Sequence, residues 1–218
     1  MKPLEIQIAT HTPVELGPYP LHLDGLLFWT LYAHTDDAGQ ALAMLEGMLS
    51  RQHGVFQASA MAFARTPLEP VTLRQTVHPT CFDWSEWDLP TDRKSIMELG
   101  GPFRSRMTKY QAWAAPALIF HAVGDAKAIE RVLRATPGIG TNSNKGSGEI
   151  RAVSVREVAT DHSWFFQGEL ARTLPVELFP DGPGLPMQAR ITPPYNVGKT
   201  VSCFVPDFRV ITCTHTEV

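Results

Sequence analysis

Leu4, Ile6 and Ile8 alternate with Glu5, Gln7 and Ala9, which predicts an opening strand with one buried face. Pro13–Pro20 reads as a loop. Asp24 stands where a helix N-cap would, ahead of Leu26, Leu27, Trp29, Leu31 and Tyr32. A second helix is expected over Ala38–Arg51, with Leu42, Leu45, Met48 and Leu49 on one face. Gly54 ends it, and Val55–Arg65 reads as a strand. Further on, Pro116–Val123 is an apolar run of strand length broken by Gly124. Asp125 is then a good N-cap for a helix over 126–135. That helix turns Ile129, Val132 and Leu133 inward and Lys127, Glu130, Arg131 and Arg134 outward. Pro137 stops it. Ile150–Val158 alternates again, as a sheet strand does.

Each half therefore runs strand, helix, strand. Two such units predict an α+β, ferredoxin-like (RRM-like) core formed by 1–65 and 116–158, a four-stranded antiparallel sheet with helices on one face. Residues 66–115 do not fit that plan and read as an insertion. Residues 159–218 hold seven prolines (Pro175, Pro180, Pro183, Pro186, Pro193, Pro194, Pro206), which limits regular helix. Strand-like runs at Val201–Val205 and Phe208–Cys213 make this an irregular β extension packed on the sheet. The expectation is one domain over 1–218.

Residues 137–149 (PGIGTNSNKGSGE) hold a glycine pair, Gly138 and Gly140, separated by five residues from a second pair, Gly146 and Gly148. Glycine permits positive φ and close backbone approach, so this spacing reads as a shaped loop. Between the pairs lie Thr141, Asn142, Ser143, Asn144 and Lys145, donors without a carboxylate, which suit a phosphodiester backbone. Nucleotide-binding loops follow a strand and open a helix; this one closes a helix and opens a strand. The Walker spacing fails as well, with Asn144 rather than glycine before Lys145.

The 218 residues carry a net charge of −3, which argues against sequence-independent coating of DNA but leaves room for RNA along one groove. The insertion is locally basic. Arg93, Lys94, Arg104, Arg106 and Lys109 stand against Glu98 within 93–109, among Phe82, Trp84, Trp87, Phe103, Tyr110 and Trp113. Cations interleaved with aromatics serve single-stranded RNA by phosphate contact and base stacking; the same pattern also fits a solvated loop whose tryptophans return to the core. Cys81, Cys203 and Cys213 have neither metal-ligand nor disulfide-framework spacing, so a reduced cytoplasm and no metal are expected. The longest apolar stretch, Gly25–Ala33, is too short to span a bilayer, and signal-peptide organisation is absent, so no membrane association is expected.

Eight histidines are scattered without a spacing that demands catalysis. His121, in a predicted strand, reads as a sheet-face residue. His22, and Tyr110 with Lys109, are the nearest approach to catalytic groups. Asp161-His162-Ser163 has triad composition, but triads are defined in space rather than along the chain. No catalytic residue is assigned.

The chain resembles the CRISPR-associated RAMP superfamily. The glycine loop between the last helix and last strand of the core carries the resemblance, with LDGLL at 23–27, GPFRSRMTKY at 101–110, GD before the helix at 124–135 and PPY at 193–195. Within that superfamily it looks like the handle-capping small subunit of type IV effector complexes. The resemblance implies a RAMP fold with 66–115 as a protruding thumb. It also implies a non-catalytic role gripping the 5′ handle of the guide RNA (crRNA), with no cofactor. Gly138, Gly140, Gly146 and Gly148 would be close-approach points, and Asn142, Asn144 and Lys145 polar contacts. Arg104, Arg106 and Lys109 would lie near RNA. The implied partners are the crRNA, the backbone subunits of the filament, the large subunit, the crRNA-processing subunit and the helicase. Some RAMP proteins instead cut precursor crRNA without metal, and that is the alternative activity.

Overall fold

A computed structural model describes residues 1–64, 70–77, 106–180, 182, 184–207 and 209–211. The chain opens with β1 (Lys2–Thr10) and a short β2 (Val14–Glu15). Two helices follow, α1 (Leu23–Thr35) and α2 (Ala38–Met48). Next come β3 (Arg51–Gln52), β4 (Val55–Phe56), β5 (Ala62–Ala64) and β6 (Pro70–Val77). The chain resumes with β7 (Arg106–Trp113), β8 (Leu118–Gly124), α3 (Ala126–Ala135) and β9 (Ile150–Glu157). The remainder carries β10 (Phe165–Phe166), β11 (Glu169–Leu170), β12 (Leu174–Pro175), β13 (Met187–Ala189), β14 (Val201–Phe204) and β15 (Arg209–Ile211). Helices and antiparallel strands together make an α+β protein.

The central sheet has the order β15-β5-β8-β1-β9. β1 lies between β8 and β9 and is antiparallel to both. The pleat sends Leu4, Ile6 and Ile8 into a core shared with Leu27 and Leu31 of α1, Leu45 of α2, and Ile129 and Leu133 of α3. The alternation read from the sequence gives the core face of the strand, but Gln7 and Ala9 on its other face are buried as well, so only Glu5 of those three stays partly open. On the other face of the sheet, Ala62, Ala64, Ala117 and Ile119 form a smaller cluster against Phe166. A third cluster, Leu170, Leu174 and Phe204 of the extension with Val55 of β4, packs the extension onto the rest of the chain.

Four expectations change in detail. α2 stops at Met48 rather than Arg51, because Arg51–Gln52 and Val55–Phe56 pair as a hairpin. Its turn residues, His53 and Gly54, both have positive φ (49° and 78°), the geometry that matches strand twist. The strand expected over Val55–Arg65 is broken: β4 and β5 are separate, and only single bridges at Ala58 and Ala60 join the stretch between them. Asp24 is not the N-cap of α1. His22 holds that position without a side-chain cap, and Asp24 lies buried in the first turn. The C-terminal run does more than pack on the sheet, since β15 pairs with β5 in parallel and becomes its edge. The cap at Asp125 is as expected, its carboxylate accepting from the backbone N–H groups of Lys127 (2.9 Å) and Ala128 (3.1 Å).

The base of the insertion is an antiparallel pair of β6 and β7 in register from Pro70↔Trp113 to Val77↔Arg106. β2 pairs with the near end of β7 through Val14↔Trp113 and Glu15↔Ala112. Arg93, Lys94, Arg104 and the aromatics Phe82, Trp84, Trp87 and Phe103 lie outside the described residues.

Candidate nucleic-acid interface

The glycine loop is built on the segment that follows β1. Ile139 is fully buried in the main core and anchors the loop from below. The N–H of Ile139 donates to the carbonyl of Gly148 (2.9 Å), which closes the loop on itself. The N–H of Gly148 donates to Pro13 (3.0 Å) and that of Thr141 to Glu15 (2.8 Å). Side chains complete the seam. Thr12 Oγ1 donates to the Gly146 carbonyl (2.7 Å) and accepts from the Glu149 N–H (2.9 Å). Ser147 Oγ accepts from the Glu15 N–H (2.9 Å). The buried carboxylate of Glu15 takes the Asn142 amide at 2.6 Å.

This seam gives two of the glycines a structural cause. Gly140 (φ 91°) and Gly148 (φ 60°) have positive φ, and a Cβ on either would collide with a backbone carbonyl, of Glu15 and Ile139 respectively. Gly138 is also packed, 3.0 Å from the Ser147 carbonyl at the point where its Cβ would sit. The close approach expected at these three positions is made by the chain's own backbone. Gly146 differs: its φ is 88° and nothing lies within 4 Å of where a Cβ would stand. The outward part of the loop is therefore the 3-10 turn Ser143–Lys145 and Gly146, with Asn144, Lys145 and Gly146 exposed and the Asn142 amide turned inward to Glu15.

β2 joins this loop to the insertion. Glu15 bridges Thr141 on one side and pairs with Ala112 of β7 on the other. Lys145 Nζ consequently stands 5.8 Å from the centre of the Tyr110 ring, a cation–π contact. The pleat of β7 puts Arg106 and Tyr110 on one face and Lys109 on the other. Arg106 lies about 13 Å along the strand from Tyr110 at the usual rise per residue. Of the expected contacts, Lys145 is brought to Tyr110, Arg106 shares the Tyr110 face of β7 farther along the strand, and Lys109 lies on the other face; Arg104 lies outside the described residues.

Two other charged clusters hold the fold together. Arg172, fully buried, donates through Nη1 to Asp24 Oδ1 (2.5 Å) and through Nη2 to Asp24 Oδ2 (2.8 Å). Nη2 also reaches Tyr195 Oη at 2.7 Å, and Tyr195 Oη donates to Asp24 at 2.8 Å. Burial pushes the Tyr195 phenol well above its usual range, so it stays a donor. LDGLL and PPY are thus in contact: Gly25 leaves room for the Tyr195 ring, and His22 stacks on it at 5.4 Å. His22 Nε2 accepts from the Thr173 N–H (3.3 Å), which makes it a packing residue of this latch. Sequence reading missed Arg172. The available signal was an aspartate inside an apolar run, a buried charge in need of a partner.

On the helix-free face, Glu5 meets Arg156 at 2.7 Å and His121 at 3.7 Å. The His121 imidazole and Arg156, against the effect of burial, lower the Glu5 carboxyl to about 2. His121 stacks on Phe166 at 4.9 Å, as a sheet-face histidine would. In the 161–163 stretch, Asp161 accepts from the Ser163 N–H (2.8 Å) and from Gln57 (2.9 Å), a turn-forming arrangement. Cys203 is buried, and desolvation pushes its thiol up to about 11. Among the described residues, no group of His, Cys, Asp and Glu could hold a metal ion, and no helix is long and apolar enough to cross a membrane. A groove of about 880 Å³ lies between Leu16–Leu21 and the extension. Among the described residues its lining includes Glu169 and Asp207 and no lysine or arginine, which does not suit a polyanion.

Comparison with known proteins gives the architecture a family. The family model for CRISPR type IV associated protein Csf3 matches residues 2–205, nearly the whole chain. The chain belongs to the Csf3 family. The matched range takes in the central strands β1 to β9, the glycine loop, the base of the insertion and the Asp24–Arg172–Tyr195 latch. Among solved structures, the chain is similar to a CRISPR protein from Archaeoglobus fulgidus at 11% identity and a TM-score of 0.36, covering 99% of this chain and 88% of that one. No curated protein matches it. This is a type IV CRISPR-associated protein.

Proposed function

We propose that this Csf3-family chain is a non-catalytic guide-RNA-binding subunit of a type IV CRISPR ribonucleoprotein, gripping the 5′ handle of the crRNA and capping the backbone filament in the cytoplasm. One observation carries the reading. The glycine loop and the basic strand β7 of the insertion are distant in sequence, yet they meet across β2 with Lys145 over Tyr110. A cation, an aromatic ring and exposed donors on one side are what an RNA backbone and an unstacked base require. The fold is read as that of a RAMP protein: β9-β1-β8-β5 is the ferredoxin-like order, with helices on one face and the thumb inserted between its second and third strands. Backbone subunits, the large subunit, the crRNA-processing subunit and the helicase are its partners on this reading.

Incubating the purified protein with labelled precursor crRNA in EDTA tests the role directly. Retention of intact RNA is the expected result; specific cleavage would replace the binding role with that of a metal-independent endoribonuclease. In cells expressing a CRISPR array, crRNA and backbone subunits should co-purify with the chain. Their absence would remove the complex reading.

A further inference from the structure

Among the α-helices of the described residues, α1 and α2 carry no lysine or arginine and α3 carries three. Lys127, Arg131 and Arg134 fall at i, i+4 and i+7, a single exposed stripe away from the buried Ile129 and Leu133. Arg134 is held by Glu130 at 2.6 Å, while Lys127 and Arg131 have no ion-pair partner among the described residues. β9 adds Arg151, exposed at its start. β8 and β9 are both antiparallel to β1 and so parallel to each other, which makes the connecting helix α3 run opposite to β9. Arg151 therefore lies near the end of α3 that carries Arg131 and Arg134. The glycine loop with Lys145 leaves from that same end.

Over 125–151, the N-cap included, five cations stand against Asp125, Glu130 and Glu149, a surplus of two in a chain whose net charge is −3. Helix electrostatics does not account for the stripe. Arg131 and Arg134 suit a helix C-terminus, but Lys127 sits in the first turn, where a cation opposes the macrodipole. We propose that Lys127, Arg131 and Arg151 form a second phosphate track, on which the RNA strand continues from the glycine loop along α3. This track rests on the guide-RNA reading of the loop and extends it. Its ligand is the sugar–phosphate backbone rather than base edges, because the stripe offers charge without aromatic rings.

The test is the salt dependence of binding to a single-stranded uridine oligomer, which offers phosphates without a handle sequence. The triple variant Lys127→Gln, Arg131→Gln, Arg151→Gln should lower the slope of log K against log salt by about 2, at about 0.7 per phosphate contact on a single strand. Lys145→Gln should lower it by about 0.7 on its own, additively with the triple. The charge-retaining set Lys127→Arg, Arg131→Lys, Arg151→Lys should keep the wild-type slope. An unchanged thermal midpoint shows that these exposed substitutions leave the fold intact; should the triple fail to fold, each single change is expected to remove about 0.7. A wild-type slope in the triple, with Lys145→Gln still lowered, overturns the track and leaves the loop reading standing. Absence of RNA binding by the wild type overturns both. Intact RNA affinity with loss of an acidic protein subunit from the purified complex also overturns it, since the face would then dock protein.

Discussion

Gly140, Gly146 and Gly148 all have positive φ, but only Gly140 and Gly148 are closed in by backbone. Gly146→Ala should cost about 1–2 kcal/mol, the ordinary penalty of a side chain in the left-handed region. Gly140→Ala adds a collision with the Glu15 carbonyl and should cost about 3 kcal/mol or more. Urea denaturation of the two variants checks the difference, and equal costs would mean that the loop relaxes away from β2. Glu5 gives a pH signature. Its carboxyl is lowered from 4.5 to about 2 on folding, so the stability it contributes is present above pH 4.5 and is lost as pH falls through about 2. The contribution is at most about 3 kcal/mol. Thermal midpoints of wild type and Glu5→Gln should differ most above pH 5 and converge near pH 2; a constant difference would assign the effect to packing.

At the scale of elements, the contact between α1 and the C-terminal extension depends on one buried ion pair. Asp24 and Arg172 are both fully buried, and removing either strands the other charge. Asp24→Asn or Arg172→Met should each cost about 3–5 kcal/mol, with the double variant well short of the sum. Tyr195→Phe keeps the ring beside Gly25 and removes the hydroxyl shared by both ions, for a loss of about 1.5–3 kcal/mol. A double-mutant cycle in urea measures these couplings, and additivity would show that the latch is not a unit. The glycine loop and β7 form a second such unit through β2. Its seam of backbone bonds explains why the loop is packed at Gly138, Gly140 and Gly148 while Asn144, Lys145 and Gly146 are exposed.

For the whole molecule, RNA binding should weaken and lose salt dependence when Arg104, Arg106 and Lys109 are neutralised together. Three phosphate contacts correspond to a slope change of about 2. Because Lys109 lies on the opposite face of β7 from Tyr110, a loss of less than that is expected if one strand occupies only the Tyr110 side. Filter binding across a salt series checks this, and an unchanged slope would take the thumb out of the RNA interface. The chain's acidic net charge does not oppose this reading, since α3, the loop and β7 each carry lysine or arginine while α1 and α2 carry none.

The sequence alone determined what depends on local periodicity and local capping. β1, α3 and β9 were legible because Leu4, Ile6 and Ile8, the Asp125 cap, and the Ile129/Leu133 spacing each act within a few residues. The helix-to-strand position of the glycine loop followed from the same signals. Tertiary structure decided what depends on partners far along the chain. It showed that Asp24 pairs with Arg172 rather than capping α1, that β15 closes the sheet beside β5, and that β2 joins the loop to the insertion. It also showed which glycines face the protein and which one faces outward. Periodicity records which face of an element is buried; it carries no information about what covers that face, and burial of a charge or a backbone carbonyl is settled only by what covers it.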